Sequence, residues 1–214
     1  MSLHCSVVGY GTGVGAAVAR AFAREGMALS LIARDAAKVE AAAAALGNAA
    51  GFAADAGDEA ALTAALAAAT ARFGAPDVLI YNAAKWRPGP VLAHGAADLL
   101  ADLAIGVAGA LTAARAVAPA MQARGKGSIL FTGGGFALYP SPAAPSLSIQ
   151  KAGIRALARM LAQELAPSGV RVGTVTILGT VAPGTKFDPG AIAEAFLTLH
   201  RGAPDAATAE IQFA

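Results

Sequence analysis

The chain has 214 residues, 56% of them hydrophobic and only 14% charged, with a formal net charge of +2. That length suits one well-buried domain over 1–214, and basic residues spread without a block argue against nucleic acid as the main ligand. The lone Cys5 excludes an internal disulfide and a cysteine metal cluster, and the scattered His4, His94 and His200 suggest no metal site.

The hydrophobic excess is largely alanine, about sixty residues of a weak hydrophobe that is the best helix former. The longest uncharged stretch, 127–150, is broken by Pro140, Pro142 and Pro145 and by Gly133, Gly134 and Gly135, so no membrane-crossing helix is expected. The first residues carry no basic segment ahead of an apolar run, and the expected location is the cytoplasm.

In chain order, short aliphatic runs alternate with long alanine-rich stretches. Strands are expected at 5–8, 28–33, 51–54, 77–81, 128–132, 170–177 and 210–213. Val14, Val18 and Phe22 recur at helical spacing, and further helices fit 36–46, 58–73, 96–124, 146–166 and 190–199. This predicts an α/β fold of the Rossmann type, a doubly wound parallel sheet of about seven strands with helices on both faces. Glycine- and proline-rich breaks at 85–90, 133–145 and 179–189 follow strands, and ligands bind such sheets at the carboxyl ends of the strands.

Directly after the first strand comes Gly9-Tyr10-Gly11-Thr12-Gly13-Val14-Gly15. Such a loop turns tightly, lets backbone N–H groups approach a pyrophosphate and aims a helix amino terminus at its charge. It can be read as Gly11-x-Gly13-x-x-Ala16 or as Gly9-x3-Gly13-x-Gly15, and the second begins where the strand ends. The second strand ends in Ala33-Arg34-Asp35. An acid at the strand end would bind a ribose 2′-hydroxyl, whereas Arg34 suits a 2′-phosphate; NADP(H) is therefore preferred, with Asp35 on the ribose, and NAD(H), as the other reading.

On the second glycine spacing the sequence resembles the short-chain dehydrogenase/reductase family. The likeness extends through Asp77-Val78-Leu79-Ile80-Tyr81-Asn82-Ala83-Ala84, Arg115-Ala116-Val117 with Pro119 and Met121, Lys151-Ala152-Gly153, and Glu164-Leu165 with Val170-Arg171-Val172. The resemblance implies that Asp55 and the Ala56 backbone hold the adenine, that Asn82 and Ala83 line the adenosine ribose side, that Lys151 binds the nicotinamide ribose, and that Val181 offers its backbone to the carboxamide. For Asp55 the plainer reading is a helix cap ahead of Asp58.

The family's catalytic tyrosine, four residues before the lysine, falls at Leu147; its serine falls in Thr132-Gly133-Gly134-Gly135, and its fourth-helix asparagine at Gly106. An unperturbed phenol, with a pKa of about 10, needs a nearby cation to act as a base at neutral pH, so losing the tyrosine leaves Lys151 without its usual partner. Tyr139 and Ser148 are the nearest hydroxyls in sequence, each with a structural alternative as loop packing or helix capping, and water is the remaining proton source.

The resemblance thus implies an NADP(H)-dependent oxidoreductase moving a hydride to or from a small carbonyl or conjugated substrate, with a catalytically silent NADP(H)-binding sensor or partner subunit as the alternative. It also implies a homodimer or homotetramer associating through 96–124 and 146–166. A substrate loop near 179–190 this short predicts an open pocket.

Overall fold

A computed structural model describes residues 3–203, 205 and 209–214. One inner strand is β1 (His4–Val8), in which every residue is buried. A strand covered on both faces has no solvent side, which is why this segment lacks polar alternation. Strands β2 (Ala28–Ala33), β3 (Ala49–Ala53), β4 (Val78–Tyr81), β5 (Gly127–Gly134), β6 (Val170–Ile177) and β7 (Glu210–Phe213) complete a seven-stranded sheet of order β3-β2-β1-β4-β5-β6-β7. All six pairings are parallel, with Val8 opposite both Ile32 and Tyr81.

Helices cover both faces. On one, α1 (Val14–Arg24), α2 (Ala36–Leu46) and α7 (Pro189–Arg201) pack Val18, Phe22, Val39, Ile192 and Phe196 against Leu29, Leu31 and Ile80. On the other, α3 (Glu59–Phe73), α5 (Gly109–Arg124) and α6 (Pro145–Leu165) enclose Leu62, Val117, Met121 and Ile154 with Ile129 and Phe131, and α4 (Ala96–Leu103) lies against α6. Three helices begin on an aspartate whose side chain accepts a backbone N–H of the first turn: Asp35 from Lys38, Asp58 from Ala61 and Asp188 from Gly190.

The differences from the sequence reading have local causes. β3 begins two residues early, at Ala49, because the ladder to Leu29 holds alanines that are poor strand formers on their own. β5 runs on through Gly133 and Gly134, paired with Thr176 and Ile177, and a side chain on Gly133 would meet Thr176 Oγ1 at 2.6 Å. The expected single helix over 96–124 is divided by a π-helical turn at Ala104–Ala108. The 29 residues 96–124 are nonetheless long enough, and in an 18-residue stretch with a mean hydropathy of 1.6 apolar enough, to pass for a membrane-crossing helix by length and composition alone. In the fold the second half, α5, packs against the sheet with Ala110, Ala113, Ala114, Val117 and Met121 in the core, while α4 lies against α6.

At the amino ends of the strands, His4 is 1% exposed, its Nδ1 donating to Gly74 O at 2.8 Å and its Nε2 lying 2.9 Å from Ser30 Oγ. His200 Nδ1 lies 2.9 Å from Ser128 Oγ. Burial holds both imidazoles below the ordinary value of 6.5. Below that value the unfolded chain takes up protons that the folded chain refuses, so folding stability is full above pH 6.5 and declines as the pH falls. Thermal melts between about pH 7 and 5 should show a falling midpoint, and His4→Gln with His200→Gln should flatten that dependence.

Candidate active site

The four glycines of the loop after β1 divide into two pairs. Gly9 has φ +81°, and a side chain on it would collide with the Ala83 backbone, 2.6 Å from Ala83 Cα. Gly15 would meet Gly9 O at 3.0 Å. These two let the loop close onto the end of β4, where Asn82 Nδ2 donates to Gly9 O at 2.9 Å and Asn82 N to Val8 O at 2.8 Å. Around Gly11 and Gly13, by contrast, nothing lies within 4 Å of an added Cβ, so their smallness keeps a surface clear instead of permitting packing. Helix α1 starts there without a side-chain cap, leaving its amino-terminal dipole to face the cleft.

At Gly11 this clear surface is part of one wall of a cavity of about 630 Å³. Gly9, Gly11, Thr12, Arg34, Asp55, Ala56, Asn82 and Ala83 line it, as do Lys38, Lys85 and Ile105. Gly13, Val14 and Gly15 are not in the lining; Val14 and Gly15 are buried in the first turn of α1 beneath it. At the β2 end Arg34 is exposed and, among the described residues, forms no ion pair, whereas Asp35 Oδ1 accepts from Lys38 N at 3.1 Å and Asp35 Oδ2 pairs with Lys38 Nζ at 3.1 Å. That hydrogen bond from Lys38 N holds the Asp35 carboxyl below its ordinary range. The acid is thus occupied as a helix cap, and two of the cavity's three cationic residues, Arg34 and Lys38, border it at this end. The cap of α3 is Asp58, so Asp55 is free of that duty; its Oδ1 accepts from Gly57 N at 2.8 Å. A clear glycine surface facing a helix amino terminus, with cations at the other end, fits an adenine dinucleotide carrying a 2′-phosphate.

Toward β5, α6 places Leu147 one turn ahead of Lys151. Lys151 runs along Gly134, whose missing Cβ would lie 3.4 Å from Lys151 Cγ, and its Nζ donates to Thr132 O at 2.7 Å. Burial pushes the ammonium down to about 8. Neither proposed hydroxyl joins it. Ser148 is 4% exposed, donates to Ala144 O at 2.9 Å and accepts from Ser141 N at 3.1 Å, so it fastens the start of α6. Tyr139, 73% exposed on the turn after β5, lies outside the cavity lining, as does Lys151 itself. Val181 is also apart from the cavity, in a turn closed by Ala182 N on Phe187 O and packed through Phe187 against Phe213 of β7.

Three contributors escaped the sequence reading. Lys38 lies one helical turn past Arg34, a spacing that could have signalled a second cation. Asp102 is an acid inside an apolar helix and is 1% exposed; Arg87 Nε and Nη2 hold it at 2.8 and 2.9 Å, keeping its carboxyl below the ordinary range. Gln150, beside Lys151, is equally buried.

A family model described as short chain dehydrogenase matches residues 4–187. The chain is 37% identical over 173 residues to a galactitol 2-dehydrogenase (L-tagatose-forming) of Cereibacter sphaeroides, covering 79% of this chain and 68% of that protein. It is 32% identical to a 3-phenylpropionate-dihydrodiol/cinnamic acid-dihydrodiol dehydrogenase of Escherichia coli O157:H7, covering 79% of this chain and 64% of that one. The matches thus span about two thirds of each relative's length. Among solved structures, a metagenomic short-chain oxidoreductase in complex with NADP superposes with a TM-score of 0.87 at 29% identity, covering 98% of this chain and 95% of that one.

Between pH 8 and 10.5 the folded chain releases the Lys151 proton while the unfolded chain retains it, so this group makes folding stability rise with pH across that window. In Lys151→Met that contribution should vanish, and at neutral pH the variant should melt no lower than the parent, because the buried charge is gone. Denaturation at a series of pH values, with parent and variant compared, measures both.

Proposed function

Because this chain belongs to the short-chain dehydrogenase family, we propose that it is an NADP(H)-dependent oxidoreductase acting on a small carbonyl or conjugated substrate. The observation that carries the cofactor choice is the end of β2, where Arg34 is left without a partner among the described residues while Asp35 is occupied by Lys38. When bound, NADPH supplies the hydride. Gly11 and Gly13 admit a pyrophosphate to the loop backbone, Arg34 and Lys38 take the 2′-phosphate, and Asp55 with the Ala56 backbone holds the adenine. Asn82 and Ala83 form the ribose side, and Lys151 orients the nicotinamide half from α6.

The proton is the weak point of the site. Leu147 has none to give, Gly134 offers no hydroxyl, and Ser148 already donates to Ala144. Water is then the donor, and a reaction in which hydride addition is the difficult step, on an activated carbonyl or a conjugated double bond, suits this chain better than oxidation of a plain alcohol. The same absences favour a second reading, a dinucleotide-binding protein without turnover that acts as a sensor or partner subunit. Leu100, Leu111, Ile149 and Met160, exposed on the helices of 96–124 and 146–166, support self-association in either case.

Fluorescence titration should find NADPH bound more tightly than NADH, and Arg34→Ala should weaken NADPH by roughly 1.5–3 kcal/mol, about tenfold to a hundredfold, with NADH nearly unchanged. Equal affinities would refute the assignment. Mixing the NADPH complex with activated ketones and enones, and following the reduced nicotinamide, separates the two readings: oxidation that Lys151→Ala abolishes supports the enzyme, and tight binding without oxidation supports the silent binder.

A further inference from the structure

The space beside Gly106 is filled from the opposite helix. Gln150 is 1% exposed, and a side chain on Gly106 would overlap its carboxamide, 2.6 Å from Gln150 Cγ. That carboxamide makes three hydrogen bonds: Oε1 accepts from Lys85 N at 2.9 Å, and Nε2 donates to Lys85 O and to Ser146 Oγ, each at 3.0 Å. Pairing with both backbone groups of one residue is what a neighbouring strand would do, and Lys85 belongs to no strand.

Gln150 has little freedom to swing away. Ser146 Oγ donates onward to Asp102 Oδ2 at 2.7 Å, and Asp102 is gripped by Arg87, two residues past Lys85. The loop after β4 is therefore fastened at two points to α4 and α6 through a chain of buried polar groups, each satisfied by the next. The π-helical turn at Ala104–Ala108 is held on its other side, where Tyr81 Oη donates to Ile105 O. Gly106 thus stands where a side chain would break the pairing.

We propose that Gln150 is a positioning residue for the ligand cavity, setting the stretch of its wall formed by Ala84 and Lys85, beyond the Asn82 and Ala83 assigned to the adenosine ribose. The sheet order supports the placement: β4 lies two places from β2, on the side of β5, along which Lys151 runs. This rests on the dinucleotide reading and adds a residue to it. Gln150 acts on that ligand through the Lys85 backbone, and the Arg34 end of the cavity is independent of it.

Two ligands separate these ends: NADPH, which needs the whole cavity, and adenosine 2′,5′-bisphosphate, which carries the 2′-phosphate and no nicotinamide. In calorimetric titrations Gln150→Leu should weaken NADPH by about tenfold to a hundredfold and leave the bisphosphate within about twofold. Gly106→Ala, which displaces the carboxamide, should show the same selective loss. Adding Gly106→Ala to Gln150→Ala should cost no more than Gln150→Ala alone, since the two changes break one contact. If Gln150→Leu does not fold, Gln150→Glu, which retains an acceptor for Lys85 N and loses the donor to Lys85 O, faces the same comparison with a smaller selective loss. Undiminished NADPH affinity in these variants overturns the proposal, as does a parallel loss of both ligands, which would mark a merely structural role. Binding of neither ligand by the unaltered chain overturns the cofactor reading, and this inference with it.

Discussion

The ends of β1 and β4 approach so closely that Gly9 and Ala83 meet backbone to backbone, and much of the molecule follows from that contact. Any side chain at Gly9 would strike Ala83, and its φ of +81° is one that L-residues rarely adopt. The approach sets Asn82 on Gly9 O and turns the loop back toward α1. It also fixes where the cleft opens, because β1 and β4 are the neighbours between which the order of the strands reverses. The ligand cavity is the consequence of two parallel strands joined at the point where their connections leave in opposite directions.

Around that cleft the chain distributes its few charges unevenly. Arg34 and Lys38 border the cavity at the β2 end, while near β5 a lone ammonium is buried along the glycines of the strand and held by a backbone carbonyl. Between them the wall is built by hydrogen bonds from neutral groups, Asn82 to Gly9 and Gln150 to Lys85. The only carboxylate in this inner network, Asp102, is compensated by Arg87 and Ser146. A chain with 14% charged residues thus places charge where an anionic ligand would lie and satisfies most of its buried polar side chains locally, His94 Nδ1 and Thr132 Oγ1 being the exceptions among the described residues. The scarcity of proton donors beside Lys151 belongs to the same pattern.

The elements were legible because their signals are local. Val14, Val18 and Phe22 keep helical spacing, β1 reads as a buried run, and the strand–helix alternation leaves parallel pairing as the economical arrangement. Arg34 and the glycine loop could be found for the same reason, each being defined by its distance from a strand end. The π-helical turn could not be found so. It lies between Gln150 and Tyr81, and both come from other parts of the chain. For Tyr139 and Ser148 the choice between proton donor and structural role was not legible for a similar reason: sequence distance to Lys151 says nothing of whether a hydroxyl is already bonded or turned to solvent.

By itself the sequence determined the order and kind of the elements, the position of the glycine loop, the basic residue at the end of β2 and the absence of a tyrosine before Lys151, because each depends on the spacing of neighbours along the chain. Only the tertiary structure decided which glycines pack and which leave room, that Asp35 is taken by a helix and by Lys38, and that Gln150 fills the space left by Gly106. Those outcomes depend on competition among groups far apart in sequence for the same hydrogen bonds and the same volume, and that competition is settled only when the chain is packed.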